Sequence, residues 1–221
     1  MNSRILILLL TLASAAIMAG ATGDSLDLRS TGDIFVATDS LGELQICLEV
    51  EETSQGRWCG VSPKQKASPA SGKSVEGELV YVFPDRAEVT MTIKGKIDAQ
   101  DVTVKAAWAT ESTAKGFARL NLKIAGDDAK DLTIEENGKP VFVNFDKARN
   151  LAKLTELVFR RTSTGAFLFK LTGDIAAGCE MIFNQDNPDS GLVLRLNTVP
   201  VGMDSCISDV KETGWALSFK E

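Results

Sequence analysis

Residues 45–51 read Gln-Ile-Cys-Leu-Glu-Val-Glu, so that an aliphatic side chain occupies every second position. Successive side chains of a β-strand point to opposite faces of a sheet, whereas those of a helix repeat every 3.6 residues. The stretch is therefore predicted to be a strand with one face in the core and the other toward water. Residues 88–94 and 119–124 repeat the same alternation.

Further short segments rich in β-branched and aromatic residues follow, and Gly, Asn, Asp and Pro occur in nearly every gap between them. Many short strands separated by turn residues are typical of antiparallel sandwiches. We predict an all-β fold, an antiparallel β-sandwich built from hairpins, over residues 22–221. Two closely packed halves, about 22–115 and 116–221, are an alternative division. The predicted strands are 33–38, 78–83, 102–108, 132–135, 141–145, 156–161, 166–171, 180–183, 192–196 and 215–219.

One segment departs from the two-residue period. Ala148, Leu151, Leu154 and Val158 recur at three- and four-residue spacing, and Asp146 precedes them as a potential N-cap. This spacing places apolar side chains on one face of a helix. A short helix is therefore predicted near residues 147–157.

The first 21 residues have the three parts of a cleavable export signal. Arg4 supplies a positive charge, residues 5–12 are almost entirely apolar, and Ala19-Gly20-Ala21 offers small side chains for cleavage. The apolar stretch ends near Met18, short of the roughly 20 residues that span a bilayer. We expect cleavage after Ala21, a periplasmic or extracellular location, and no membrane span after cleavage.

Charge and composition exclude several classes of function. The chain has 24 basic and 30 acidic residues, a net charge of −6, which opposes binding to nucleic acids and anionic membranes. It contains no histidine. Ser-His-Asp and Cys-His catalysis, and metal sites with histidine ligands, are therefore excluded in their usual forms.

Four cysteines, Cys47, Cys59, Cys179 and Cys206, follow the predicted signal. An even number in an exported protein suggests two disulfides, although three pairings are possible. The pairs Cys47–Cys59 and Cys179–Cys206 are favoured, because the other pairings would cross the whole domain.

Without histidine, carboxylates are the remaining candidates for acid–base chemistry. Glu49 and Glu51 lie two residues apart on a predicted strand and so share a face. A pair of this kind could serve a glycoside hydrolase, which needs two carboxyl groups about 5 to 9.5 Å apart. The simpler interpretation is a solvent-facing strand edge.

Two further features could bind ligands. Trp58, beside Cys59, is the aromatic residue most suited to ligand stacking, although packing over a disulfide is the simpler interpretation; Trp108 and Trp215 are expected in the core. Residues 184–191 concentrate oxygen ligands, and Asn184, Asp186 and Asp189 are weak calcium candidates. These residue types also favour ordinary turns, as do the acids Asp127, Asp128 and Asp131. No other cofactor is expected.

The sequence thus favours an exported binding or structural module without enzymatic activity, presenting loops or a sheet face to a protein or glycan at the cell surface. A glycan-active enzyme that depends on carboxylates is the alternative. A small outer-membrane β-barrel is a third candidate, but aromatic residues make up only 6% of the chain and most predicted strands are short.

Overall fold

The computed structural model describes residues 25–53, 59–111, 113–136, 138–141, 149–151, 156–173, 179–183, 191–197, 206–207 and 212–221. These ranges contain seventeen strands and one short helix. In chain order they are β1 (Leu26–Leu28), β2 (Ile34–Thr38), β3 (Gly42–Glu52), β4 (Cys59–Gly60), β5 (Ala70–Gly72), β6 (Ser74–Val82), β7 (Glu88–Asp98), β8 (Asp101–Thr110), β9 (Gly116–Ile124), α1 (Gly126–Lys130), β10 (Leu132–Glu136), β11 (Lys139–Val141), β12 (Arg149–Leu151), β13 (Leu157–Arg161), β14 (Phe167–Gly173), β15 (Cys179–Phe183), β16 (Leu192–Asn197) and β17 (Glu212–Ser218).

The strands form two antiparallel sheets, which confirms the predicted all-β class. Sheet A has the order β12-β15-β16-β9-β3-β2-β1-β5, with β4 also paired to β3. Sheet B has the order β11-β10-β13-β14-β17-β8-β7-β6. Strands from the first and the second half of the chain occur in both sheets, so neither sheet is built by one half alone.

The opening stretch lies in the interior of sheet A. Strand β3 pairs with β2 on one side and with β9 on the other, and the β9 pairing extends from Gln45 to Glu52. The aliphatic side chains Ile46, Leu48 and Val50 are buried in the core between the sheets. The predicted core face is therefore confirmed, whereas the opposite face is only partly exposed and its Cys47 is buried.

Two tryptophans connect elements across the core. Trp215 of β17, in sheet B, donates its indole N–H to the carbonyl of Leu120 in sheet A over 3.3 Å. Trp108 of β8 donates to the carbonyl of Ile207 over 2.6 Å. Both indoles are buried, and a buried N–H needs an acceptor. The expectation that these tryptophans belong to the core is confirmed.

The outer faces of the two sheets differ in burial. On β9 of sheet A the outward residues Phe117, Arg119 and Asn121, taken as whole residues, are at most 4% exposed. On sheet B the outward positions of β7 and β8 are exposed, such as Lys94 and Lys105, or partly exposed, such as Thr92. Strands β7 and β8 therefore have one face in the core and one toward solvent, whereas β9 is buried on both faces.

The predicted helix near 147–157 is wrong where the structure describes it. Residues Arg149–Leu151 form β12 and pair antiparallel with β15, and Leu157 begins β13. Leu157 and Phe159 are buried two residues apart, so a two-residue period governs this part of the segment. The helix present, Gly126–Lys130, is elsewhere. Asp146, Ala148 and Leu154 lie outside the described residues.

Most predicted strands are present within one to four residues of their expected bounds. Four strands were missed, β1, β4, β5 and β12, and each has only two or three residues. A pattern with a period of two cannot be recognised in so short a segment.

No described helix is long and apolar enough to cross a membrane. The predicted export signal lies outside the described residues and stays a prediction.

A testable consequence concerns Gly116, the first residue of β9. A Cβ atom there would overlap the carbonyl oxygen of Glu51 and lie 2.9 Å from the ring of Phe83. We expect Gly116→Ala to lower the free energy of unfolding by about 2–3 kcal/mol, the cost of overpacking a buried site. Urea denaturation measures this.

Gly60 is the matched control, because it pairs with Glu51 on the other side of β3 and a Cβ atom there would meet nothing within 4 Å. Gly60→Ala should change stability by less than about 0.5 kcal/mol. Equal effects of the two substitutions would contradict the close approach at Gly116.

Candidate functional site

The two carboxylates predicted to share a face do so, and both bind one arginine. Glu49 lies directly opposite Arg119 in the β3–β9 register. The Arg119 Nε donates to Glu49 Oε2 over 2.7 Å, and its second terminal nitrogen donates to Glu51 Oε1. The guanidinium also lies 5.3 Å from the ring centroid of Phe117. One cation thus bridges two carboxylates on the outer face of sheet A.

The three side chains of this ion-pair cluster differ in their exposure to solvent. The Arg119 side chain is 5% exposed, Glu51 17% and Glu49 39%. The expectation of a solvent-facing strand edge is wrong, because β3 lies inside the sheet between β2 and β9. A buried arginine without counter-charges would be strongly destabilising, so the two glutamates are needed to keep Arg119 in this position.

The electrostatics keep Glu49 ionised. Its burial alone would raise the pKa, but hydrogen bonding by Asn121 and Arg119 and the charges of Arg119 and Arg195 together lower the pKa below its ordinary value. The Asn121 amide contributes to this lowering even though neither of its polar atoms makes a hydrogen bond of normal geometry with a described residue. Glu49 is therefore a carboxylate at neutral pH.

These properties argue against a glycosidase pair. Such an enzyme needs one carboxyl group that holds a proton near neutral pH, which requires a raised pKa. Glu49 has a lowered pKa, and Glu51 also accepts a hydrogen bond from Arg119. The geometry expected from the sequence is present, but the cluster has the character of a structural ion pair.

Cys47 lies next to the cluster, and its thiol is unreactive at neutral pH. It lies opposite Asn121, is 5% exposed, and is a free thiol. Burial, and secondarily the charge of Asp33, raises the pKa of Cys47 to about 11 despite the opposing effect of Lys123. Since the thiolate is the reactive form, Cys47 is a poor nucleophile at neutral pH.

The predicted disulfide Cys47–Cys59 is wrong, and the register explains why. Cys59 lies opposite Glu52, five residues along β3 from Cys47. Five residues of a strand span about 16 Å, whereas disulfide-linked Cα atoms are roughly 4.4–6.8 Å apart. Both thiols are free.

The second predicted disulfide, Cys179–Cys206, is also wrong, because Cys206 is free. Cys179 lies opposite Leu196 in β16, and Leu196 lies opposite Leu120 in β9. Cys206 instead forms an isolated antiparallel bridge with Lys115, which lies five residues before Leu120. The backbones of the two cysteines are therefore separated both across the sheet and along the strands.

The other predicted ligand residues are not brought together by the described structure. Trp58 and the calcium candidates Asn184, Asp186 and Asp189 lie outside the described residues. The acids around α1 bind protein groups: Asp128 pairs with Arg161 over 3.0 Å, and Asp131 accepts two hydrogen bonds from Ser163. Within the described ranges no group of three or more candidate ligands could hold a metal ion.

Sequence reasoning missed Arg119, the centre of the cluster. The only sequence feature that could have indicated Arg119 is its outward-facing position in a predicted strand. Arginines exposed to solvent occupy the same kind of position. Its partners lie about 70 residues earlier in the chain, and the β3–β9 register alone brings them together. No protein-family model matches the chain, and a search of curated proteins finds no significant match.

A prediction tests the structural role of the cluster. Replacing Arg119 with methionine leaves Glu49 and Glu51 without their cation. We expect a loss of about 2–3 kcal/mol in the free energy of unfolding, somewhat less than for a fully buried pair because Glu49 is partly exposed. The triple variant Arg119→Met/Glu49→Gln/Glu51→Gln should recover part of this loss, since no carboxylate then remains unpaired. Urea denaturation at pH 7 measures both.

The control is Lys94→Met, which removes an exposed cross-strand pair with Glu76 and should cost less than about 1 kcal/mol.

A second prediction concerns pH. Because the pKa of Glu49 is lowered in the folded state, the contribution of Glu49 to stability is present above about pH 4.3 and is lost as the pH falls through the folded-state pKa. Glu49→Gln should flatten that part of the stability profile. An Arg119→Met variant as stable as the parent chain would contradict the structural role.

Proposed function

We propose that the protein is an exported binding module that engages a partner protein through the outer face of sheet B. The observation that carries the proposal is the unequal burial of the two outer faces. Phe117, Arg119 and Asn121 on sheet A are buried, whereas the corresponding positions on β7 and β8 are in contact with solvent. A partner can therefore contact the outer face of sheet B without displacing the buried side chains of sheet A.

We call this surface the sheet B face and define it by the outward side chains of four adjacent strands. Strand β7 has 11 residues, which corresponds to about 36 Å, and four strands span about 19 Å. An area on the order of 600 Å² is close to the roughly 800 Å² that each partner contributes to a standard protein interface. Its residues are Ser74, Glu76, Glu78, Val80, Val82, Glu88, Thr90, Thr92, Lys94, Lys96, Asp98, Asp101, Thr103, Lys105, Ala107, Ala109, Glu212, Ala216 and Ser218.

The composition of the sheet B face favours a protein partner over a glycan. Short side chains such as Thr92, Ala107 and Ala216 occupy its middle, with lysines and glutamates around them. The described indole and phenol rings, those of Trp108, Trp215 and Tyr81, are at most 6% exposed and offer no stacking platform. A flat surface of small residues suits backbone approach by another protein.

The alternative of a glycan-active enzyme has no comparable support among the described residues. Its best candidates, Glu49 and Glu51, are bound by Arg119, and the pKa of Glu49 is lowered. The export part of the proposal depends on residues 1–21 alone, because the free thiols of Cys47, Cys59 and Cys206 give no sign of an oxidising compartment.

Site-specific photocrosslinking tests the proposal. A benzoylphenylalanine introduced at Ala107, in the middle of the sheet B face, should give a discrete protein adduct in the cells that make the protein. The same group at Glu43, exposed at the start of β3 in sheet A, should not. Thr92 lies directly opposite Ala107, and Thr92→Arg should reduce the adduct by blocking close approach.

Two results would contradict the proposal. One is adduct formation at Glu43 as strong as at Ala107, and the other is an Ala107 adduct that Thr92→Arg leaves unchanged. Circular dichroism of each variant would confirm that the fold is retained.

A further inference from the structure

A cavity of 680 Å³ lies at the end of sheet B, where β7 begins and β8 ends. Its volume falls within the roughly 300–1,000 Å³ typical of ligand sites. Thr90 and Ala109 lie opposite each other in the β7–β8 register and belong to the sheet B face, so the cavity continues that surface. The described residues that line it are Arg86, Glu88, Thr90, Ala109, Thr110 and Glu111.

Two carboxylates, Glu88 and Glu111, line this cavity. The β7–β8 pairing ends at Val89 and Thr110, and the two glutamates are the residues next to that last pair. Their like charges repel each other within one cavity. Both side chains are exposed, and neither forms an ion pair with a described residue. Neither carboxylate is therefore neutralised by a salt bridge within the described chain.

Arg86 lies in the same lining but does not neutralise the pair. Its backbone N–H donates to the Phe83 carbonyl over 2.8 Å, and Asp85 caps the N–H of Ala87 over 3.0 Å, which fixes the tight turn that carries it. Its guanidinium makes no ion pair with a described carboxylate. The cavity therefore offers two carboxylates and a separate cation to a ligand.

We infer that this cavity binds a lysine or arginine side chain of the partner protein, held between Glu88 and Glu111. This inference deepens the proposed function and rests on it, because it assigns a binding pocket at one end of the sheet B face. Carboxylates form their strongest hydrogen bonds with ammonium and guanidinium groups. Two carboxylates alone provide too few oxygens for calcium, which takes six to eight. Arg86, at the same cavity, favours an acidic residue next to the basic one in the partner.

The test is an NMR titration of the ¹⁵N-labelled protein with N-acetyl-arginine methylamide. We expect chemical-shift changes concentrated on the backbone of Glu88, Thr90, Thr110 and Glu111. The citrulline analogue, which has the same shape without the charge, should bind at least tenfold more weakly. The double variant Glu88→Gln/Glu111→Gln should weaken arginine binding at least tenfold, and it should unfold at no lower urea concentration than the parent because the repulsion is removed.

The matched control is Glu78→Gln/Glu212→Gln, which removes two exposed carboxylates from the sheet B face outside the cavity. It should leave the arginine titration unchanged. Equal binding of the citrulline analogue, an equal loss in the control variant, or shift changes away from the cavity would overturn the inference.

The outcomes separate the inference from the proposed function. If Glu88→Gln/Glu111→Gln leaves both the arginine titration and the Ala107 adduct unchanged, the cavity inference fails while the binding face stands. If the arginine probe binds at the cavity but Ala107 gives no adduct, the pocket stands as a cation site and the partner assignment fails.

Discussion

The packing of two sheets around one apolar core is the constraint on which the rest of this molecule depends. A single core cluster contains side chains from both sheets, and Trp215 spans it to reach the Leu120 carbonyl. Because every second residue of each central strand is committed to this core, only the alternate residues remain for other purposes. The binding function proposed above would therefore use the outer faces, the sheet ends or the connecting loops.

The outward side chains of the two sheets are arranged differently. On sheet A the alternate residues form a closed cluster in which Arg119 binds Glu49 and Glu51 beside the buried Asn121 and Cys47. Charges of this kind stabilise only as a set, since removing one member leaves the others buried and unpaired. On the sheet B face the charges stay in water, where pairs such as Lys94 and Glu76 contribute little to stability. Sheet B can therefore change its outer residues at low cost, which suits a surface that recognises a partner.

The limits of sequence analysis follow from the range of each interaction. Local alternation at residues 45–51 reports burial on one face, and it correctly predicted β3 and the fold class. It could not show that Arg119 lies opposite Glu49, because that depends on a pairing across 70 residues. The disulfide prediction failed for the same reason: closeness along the chain placed Cys47 near Cys59, but register separated them by about five residues of strand. The helix prediction failed over its described residues, because Leu151 and Val158, which match a helical spacing, lie in strands β12 and β13.

The central claim is that the outer face of sheet A is closed at β9, whereas the outer face of sheet B is open at β7 and β8. Carbene footprinting of the native protein, read by mass spectrometry, tests it most directly because the reagent labels any accessible side chain. The account predicts heavy labelling of residues Asp101–Thr110 in β8 and little labelling of residues Gly116–Ile124 in β9. Equal labelling of the two strands, or heavier labelling of β9, would contradict it.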